Sequence, residues 1–321
     1  MSHGATVTRA APPSRSALLR HRQLISRLFP LVPVLYVLVI AGIGDLRIEH
    51  IVLVLIVLGL SAFGPRARAF LSDITPYVLV ALGYDMVRYA RRVFVTADRV
   101  HACQLRQFEL STLAVSPGVT LQDWFQLHHT PFWDVIFAVP YTVFAYLALI
   151  YSAYLYFVAR PRMRRYLWAF AIANFISFVA WMAFPAAPPW YVRAHGCQVS
   201  MSDLPSAAGL LRVDQLFGMH YYQSLYSRAA SVFGAMPSMH CAYPVLGLLT
   251  AWRAASWKTR PIHLLYAVTM FVGSNYLDHH WLWDGIAGVT LATVSVWLSR
   301  KLLGDGRPAS AVPSSARLEA A

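Results

Sequence analysis

The sequence predicts an all-α polytopic transmembrane bundle with about eight spans. Of its 321 residues, 58% are hydrophobic and only 13% are charged, whereas soluble domains carry about 25% charged residues. Apolar stretches of helix length recur along the chain, with basic residues between them. The eight predicted spans are 28–44, 50–64, 74–90, 131–158, 166–184, 239–254, 261–278 and 283–300. Several are shorter than the roughly 20 residues of a usual span, so six or seven spans remain alternatives.

The distribution of charge predicts which loops face the cytoplasm. With the N-terminus inside, 18 of the 27 Lys and Arg residues fall in inside segments, as expected from the positive-inside rule. These segments are 1–27, 64–73, 159–165, 252–260 and 299–321. Because the basic residues are divided among short loops, the net charge of +13 does not indicate a nucleic-acid partner.

Four parts of the chain are predicted. A basic, disordered N-terminus at 1–27 precedes N-terminal spans and an outer segment at 28–130. A membrane core at 131–303 holds the candidate chemistry, and a disordered tail occupies 304–321. Within the core, residues 185–237 are too polar and too rich in Pro and Gly to span, but their aromatic residues predict an ordered extracytoplasmic loop.

The first chemically informative segment is SNYLDHHWLWDGIAG at 274–288. His280 and Asp284 are four residues apart, which predicts that they share one face of a helix. The carboxylate can then accept one imidazole N–H and leave the other nitrogen free to attack. The alternative is that His280 and Asp284 only hydrogen-bond to each other at the membrane interface and have no catalytic role. Ionisable groups in apolar segments are usually functional, however.

The second segment is GAMPSMHCAYP at 234–244. Pro237 is expected in the first turn of a helix, followed by Ser238 and His240. A helix N-terminus attracts phosphate, Ser238 adds a hydroxyl donor, and His240 can give or take a proton. The predicted topology brings His240 and His280 to the same non-cytoplasmic face, which favours an active site over an ordinary capped helix.

P-S-x-H followed by H-x-x-x-D resembles the second and third signatures of the type 2 phosphatidic acid phosphatase (PAP2) superfamily. The resemblance implies that His280 is the phosphoryl-accepting nucleophile and that Asp284 orients it. It also implies that His240 is the acid and base and that Ser238 contacts the phosphate. Two features depart from the family pattern. The third signature usually has an arginine six residues before its histidine, and Ser274 stands at that position. The first signature, K-x6-R-P, should precede the second. Residues 253–261 resemble it in spacing, but they follow the second signature, so the first is missing.

Four blocks in the same order resemble the fungal-type inositol phosphorylceramide synthases within that superfamily. They are FPAAPPWY (184–191), GLLRVDQLFGMHYY (209–222), VFGAMPSMH (232–240) and YLDHHWLWDGIAG (276–288). The resemblance covers about 130–310 and extends weakly to WDVIFAVPY at 133–141. It implies transfer of an inositol-phosphate head group from phosphatidylinositol to ceramide or another lipid hydroxyl, without a metal or cofactor. The alternatives are a lipid phosphate phosphatase using the same residues and a non-catalytic transporter.

Without the two usual arginines, other side chains must contact the phosphate. The candidates are Arg212, Arg228, Arg88, Asp85 and Tyr191. Arg212 is favoured because it lies in a shared block, although an interfacial arginine often extends toward lipid head groups instead. Tyr191 also fits an ordinary belt of interfacial aromatic residues.

The predicted location is an integral membrane position with the site on the non-cytoplasmic face. A bacterial inner membrane is favoured, or a Golgi-type membrane if the chain is eukaryotic. Cys103 and Cys197 both fall outside and can pair in an oxidising compartment, which leaves Cys241 unpaired. The sequence predicts no oligomeric state.

Overall fold

The computed structural model describes residues 28–304. This part of the chain contains thirteen α-helices, and the predicted all-α fold class is confirmed. The helices are α1 Leu31–Gly42, α2 Ile48–Ala62, α3 Pro65–Phe94, α4 Cys103–Leu113, α5 Leu121–Leu127, α6 Pro131–Val158, α7 Arg160–Ala183, α8 Pro189–His195, α9 Leu211–Phe217, α10 Tyr221–Tyr226, α11 Met239–Ala251, α12 Arg260–Tyr276 and α13 Leu282–Leu303. Apart from Gly304, the segments predicted to be disordered lie outside the described residues.

The chain divides into two compact units, Met1–Thr75 and Pro76–Ala321. In the described part of the first unit, α1 packs against α2. Residues 64–73, predicted as an inside segment between two spans, are helical, because α3 begins at Pro65 directly after a turn. The side of the membrane that they face stays a prediction. Gly64 makes that turn with φ +96°, a conformation that suits glycine, and proline suits the first turn of the helix that follows.

The second unit is built on α6, α7, α11, α12 and α13, which pack against one another. The C-terminal part of α3 joins this core through Val80 and Val87, and Tyr77 stacks on Phe170 with ring centroids 5.0 Å apart. The most deeply buried members of the core are Leu155, Ala169, Ala173, Ala242, Leu246 and Ala292. Six helices therefore form the framework that carries the candidate residues.

Four described helices are long and apolar enough to cross a membrane: α3, α6, α7 and α13. Helices α1, α2 and α11 are apolar but shorter. The protein is thus an integral membrane protein. Each of the eight predicted stretches coincides with a helix, while the number of helices that cross the bilayer stays a prediction.

Five short helices form a layer over one end of the core: α4, α5, α8, α9 and α10. Helix α4 packs against α8 and α13, α5 packs against α12, and α9 packs against α6. A disulfide joins Cys103 at the start of α4 to Cys197 just after α8, a pairing that the sequence left open. The loop at 185–237 is ordered, as predicted, because three of these helices lie within it.

Candidate active site

His280 lies in the loop between α12 and α13. Its Nδ1 is 2.9 Å from the carbonyl oxygen of Ala235 and 3.5 Å from Oδ2 of Asp284. The same Oδ2 accepts the N–H of Trp281 at 2.9 Å. The spacing therefore brings His280 and Asp284 together, but the prediction that both lie on one helix face is wrong. His280 precedes α13, and Asp284 turns back from its first turn to cap the helix.

His240 lies in the first turn of α11, and Ser238 is the N-cap of that helix. The Ser238 side chain is fully buried, and its Oγ accepts the N–H of Cys241 at 3.3 Å. Pro237 follows a cis peptide bond and precedes the cap, so it is not in the first turn as predicted. The extended backbone of the capping serine makes the helix begin one residue after it.

The two histidines contact each other. His240 Nδ1 lies 3.1 Å from His280 Nε2. His280 Nδ1 faces only acceptors, the Ala235 carbonyl and the Asp284 carboxylate, so it carries the ring proton and leaves Nε2 with a lone pair. His240 Nδ1 must then donate to that lone pair. A nucleophilic nitrogen and a proton on a second imidazole are thus in direct contact.

A close approach of two backbone segments holds the histidines in place. The Ser238 N–H donates to the carbonyl oxygen of Asp284 at 3.0 Å. One turn further along α13, a Cβ added to Gly288 would lie only 2.2 Å from the Ser238 carbonyl oxygen. Glycine is therefore required at 288 for the start of α11 to dock on α13.

A cavity of about 570 Å³ opens beside the histidine pair. Its walls come from α3, α6, α7, α8, α10 and α11 and from the loops between them, and they are mostly aromatic and apolar. The ring of Tyr141 stacks on His240 with centroids 4.0 Å apart and an angle of 9° between the planes. The volume lies within the usual range of roughly 300–1,000 Å³ for small-molecule sites. Such a cavity suits a largely apolar ligand.

Three of the predicted contacts, Arg228, Arg88 and Asp85, lie close together, and one of them lines the cavity. Among residues 28–304, Arg228 is the only arginine or lysine that lines the cavity. Arg88 Nη2 donates to the Arg228 carbonyl oxygen at 3.1 Å, and Arg88 Nε lies 3.8 Å from Asp85 Oδ1. Arg228 is consequently the described cation best placed to meet a phosphate in the cavity, while Arg88 and Asp85 lie behind it.

The structure places the other predicted contacts outside the cavity lining. Arg212 donates from Nε to Asp134 Oδ1 and from Nη1 to Gln126 Oε1, each at 2.8 Å. The hydroxyl of Tyr191 donates to Asp203, and the tyrosine is fully buried. Ser238 caps α11, as described above. Substrate contact by these three residues remains a prediction that the geometry does not favour.

Sequence reasoning missed the aromatic group around the histidines. Tyr141 lies between His240 and His279, and Tyr226 stacks on His279 with centroids 4.8 Å apart. His279 Nε2 donates to the carbonyl oxygen of Ala207 at 3.1 Å. Burial lowers the pKa of His279 to about 3, so this imidazole is neutral. The only sequence signal for these aromatic residues is the weak resemblance of WDVIFAVPY at 133–141, which ends at Tyr141.

Metal chemistry was not expected from the sequence. Within the described part of the chain, no group of three or more His, Cys, Asp and Glu side chains is arranged to hold a metal ion.

Comparison with known proteins agrees with this geometry. Residues 109–298 match the PAP2 superfamily. The chain belongs to this superfamily. The resemblance predicted from the motifs is confirmed, and both histidines and Asp284 lie within the matched range.

Three similar proteins extend the comparison. A phosphoinositol dihydroceramide synthase of Bacteroides thetaiotaomicron is 28% identical over 82% of this chain and 87% of that protein. The inositol phosphorylceramide synthase of Candida albicans is 31% identical over 50% of this chain. The catalytic subunit of that synthase from Saccharomyces cerevisiae is 31% identical over 55% of it. This PAP2 chain spans 34% and 45% of the lengths of the two fungal proteins. No solved structure matches it.

Proposed function

We propose that this protein moves an inositol-phosphate head group from phosphatidylinositol to the hydroxyl of ceramide or a similar lipid. The observation that carries the proposal is the 3.1 Å contact between His240 Nδ1 and His280 Nε2 beside an apolar cavity. The names of the bacterial and fungal relatives support the choice of head group and acceptor. A phosphohistidine on His280 is the proposed intermediate.

In the first step, the lone pair on His280 Nε2 attacks the phosphorus of the donor. The bond between phosphorus and the diacylglycerol oxygen breaks, and that oxygen takes the Nδ1 proton of a doubly protonated His240, which becomes a neutral imidazole. Diacylglycerol leaves with a free hydroxyl. Asp284 and the Ala235 carbonyl hold the Nδ1–H of His280 and stabilise the positive charge that develops on the ring.

In the second step, His240 has lost its Nδ1 proton and acts as the base. It takes the proton of the acceptor hydroxyl, whose oxygen attacks the phosphorus. The phosphorus–nitrogen bond breaks, and its electron pair returns to His280 Nε2. Both imidazoles are then restored, so one pair of side chains serves as nucleophile, acid and base in turn.

The cavity favours transfer over hydrolysis. Its aromatic walls accommodate acyl chains and exclude water from the phosphohistidine. Arg228 at the rim supplies positive charge to the phosphoryl oxygens. A lipid hydroxyl delivered along the apolar wall therefore competes well with water for the intermediate.

We place the site on the non-cytoplasmic face of the membrane. The histidines lie at the end of the core covered by the short-helix layer, whereas the basic connections around 159–165 and 252–260 lie at the other helix ends. The disulfide between Cys103 and Cys197 belongs to the same layer. Disulfides persist in oxidising compartments, which supports this orientation, with a bacterial inner membrane as the favoured location.

The test uses the purified full-length protein in vesicles that contain labelled phosphatidylinositol, with and without ceramide. We expect a labelled inositol phosphorylceramide that requires the acceptor. Head-group phosphate released at the same rate without acceptor would identify a lipid phosphate phosphatase instead. Absence of any turnover by the wild type would overturn both activities.

A matched control separates catalysis from general damage. His263 lies on α12 far from the site, beside Tyr151 with ring centroids 6.0 Å apart. H263N should keep the transfer rate of the wild type. H240N should accumulate little product, because neither the leaving oxygen nor the acceptor hydroxyl then has a proton partner.

A further inference from the structure

A buried carboxyl group on α4 touches the catalytic loop from outside the motifs. Glu109 is fully buried, and its Oε2 accepts the N–H of Leu282 at 2.8 Å. Leu282 is the first residue of α13 and lies two residues after His280. Glu109 therefore holds the point where the catalytic loop enters the helix.

Gln122 on α5 holds the same loop from a second direction. Its Nε2 donates to the carbonyl oxygen of His280 at 3.1 Å and to Oδ1 of Asn275 at 2.7 Å. The Asn275 amide in turn donates from Nδ2 to the carbonyl oxygen of Phe271 at 2.8 Å. Because both partners of Gln122 Nε2 are acceptors, the orientation of the Gln122 amide is fixed.

Two oxygens in this network have no donor among residues 28–304. They are Oε1 of Glu109 and Oε1 of Gln122. The two side chains lie within interaction distance of each other. Both hydrogens of the Gln122 amide are already used, so it cannot donate to Glu109. A proton on Oε1 of Glu109 can form a hydrogen bond to Oε1 of Gln122, so that both oxygens have a partner. If Glu109 is ionised, the two oxygens are both acceptors and neither has a donor.

We propose that Glu109 is a positioning residue for His280, acting as a neutral carboxylic acid that donates a hydrogen bond to Gln122. Glu109 and Gln122 then form one continuous clamp, with Leu282 at one end and the His280 carbonyl at the other. Neither side chain lines the cavity. The clamp acts on the reaction only through the position of the catalytic imidazole.

The surrounding charges favour the neutral form. Burial, together with the nearby Asp284 carboxylate, raises the pKa of Glu109 to about 7, although the neighbouring Gln122 amide and the N–H groups of Leu282 and Trp283 oppose the rise. Ionisation would bring a second buried negative charge close to Asp284. The clamp is therefore intact below about pH 7 and weakens above it.

The cations of the adjoining helices are directed elsewhere. Arg106 on α4 pairs with Asp123 at 2.9 Å. Arg193 on α8 pairs with Asp278 at 3.0 Å and with Asp123 at 2.9 Å. None of these arginines is among the groups that set the pKa of Glu109. Since α8 and α13 are the helices packed against α4, Asp284 is the charged group that most affects Glu109.

The kinetic test compares wild type with E109Q, E109A and the control Q107A, whose residue is exposed on the same helix. A glutamine at 109 can donate to Gln122 and accept from Leu282 at every pH. We expect the ratio of kcat for E109Q to kcat for wild type to rise about tenfold between pH 6 and pH 8, following the loss of the proton from a group of pKa about 7. KM should not change, and Q107A should follow the wild type.

E109A should lower kcat at both pH values, because it leaves the Leu282 N–H and the Gln122 oxygen without partners. If E109A does not fold, E109Q still decides the question. A ratio that stays constant between pH 6 and pH 8 overturns the proposal.

The kinetic test rests on the proposed transfer activity, so a second measurement is independent of it. The infrared spectrum of the folded protein at pH 6 should contain the carbonyl stretching band of a protonated carboxylic acid that is absent in E109Q and fades by pH 8. A wild type without activity but with this band would overturn the proposed function alone. Absence of the band at pH 6 would overturn the proposal for Glu109.

Discussion

The two sides of the loop at residues 277–281 hold their polar groups in different ways. On the side of the short helices, Arg193 makes two bonds of 3.0 Å to the Asp278 carboxylate and a third, of 2.9 Å, to Asp123. On the cavity side, His240 and His280 contact each other and are surrounded by apolar rings. Ion pairs hold the loop on one side, while on the other side the two reactive nitrogens contact each other and, among residues 28–304, no charged side chain except Asp284 bonds to the histidine pair.

The largest expected difference is between the effects of substituting His280 and its neighbour His279. H280N should reduce kcat by about 10⁴-fold or more, because it removes the nucleophile of a covalent mechanism. H279N should cost far less, since His279 Nε2 is used in a bond to a backbone carbonyl. Transfer rates of the two variants in vesicles measure the difference. Equal losses would show that the two imidazoles are not divided into a reactive and a structural one.

The next largest effect is expected where backbones, rather than charges, position the site. G288A places a Cβ 2.2 Å from the Ser238 carbonyl oxygen and must push α11 away from α13. A displacement of about 1 Å at His240 should lower kcat by about 100-fold. G247A is the matched control, because a Cβ at Gly247 in α11 meets no atom within 4 Å. Similar activities for the two variants would contradict the role assigned to this contact.

Arg228 and Arg212 are expected to differ in the same way, one in substrate binding and the other in stability. R228A should raise KM for phosphatidylinositol by about tenfold or more, since it removes a charged contact at the cavity rim, and should leave stability unchanged. R212A should lower the unfolding midpoint with little effect on KM, because it leaves Asp134 buried without its partner. Titration of the donor lipid and unfolding in detergent measure both properties. A higher KM for R212A at unchanged stability would restore Arg212 as a substrate contact.

The proximity of the proposed catalytic residues was predictable because it depends on short sequence motifs and on the order of the helices. His280 and Asp284 are four residues apart, and the order of spans brings His240 to the same end. The contacts that hold the surrounding loop and helices in place were not predictable, because they join segments that are far apart in the sequence. Glu109 bonds Leu282 across 173 positions, and Arg212 finds Asp134 across 78. Hydropathy and motif spacing contain no information about either pairing.

The smallest expected effect is on the pH dependence of stability, and it comes from the buried neutral imidazole of His279. Burial lowers the pKa of His279 to about 3 from its ordinary value near 6.5. The unfolded chain therefore binds a proton below about pH 6.5 that the folded chain does not. Stability is complete above pH 6.5 and falls as the pH decreases toward 3, by about 2 kcal/mol at pH 5.

H279Q should remove this part of the pH dependence, because glutamine can donate to the Ala207 carbonyl without titrating. The free energy of unfolding in mixed detergent micelles, measured at pH 7 and pH 5, gives the slope for each protein. The difference between the two slopes isolates His279, since all other groups titrate in both proteins. If the slopes are equal, His279 accepts a proton in the folded state, and the aromatic stack beside His240 is not neutral at low pH.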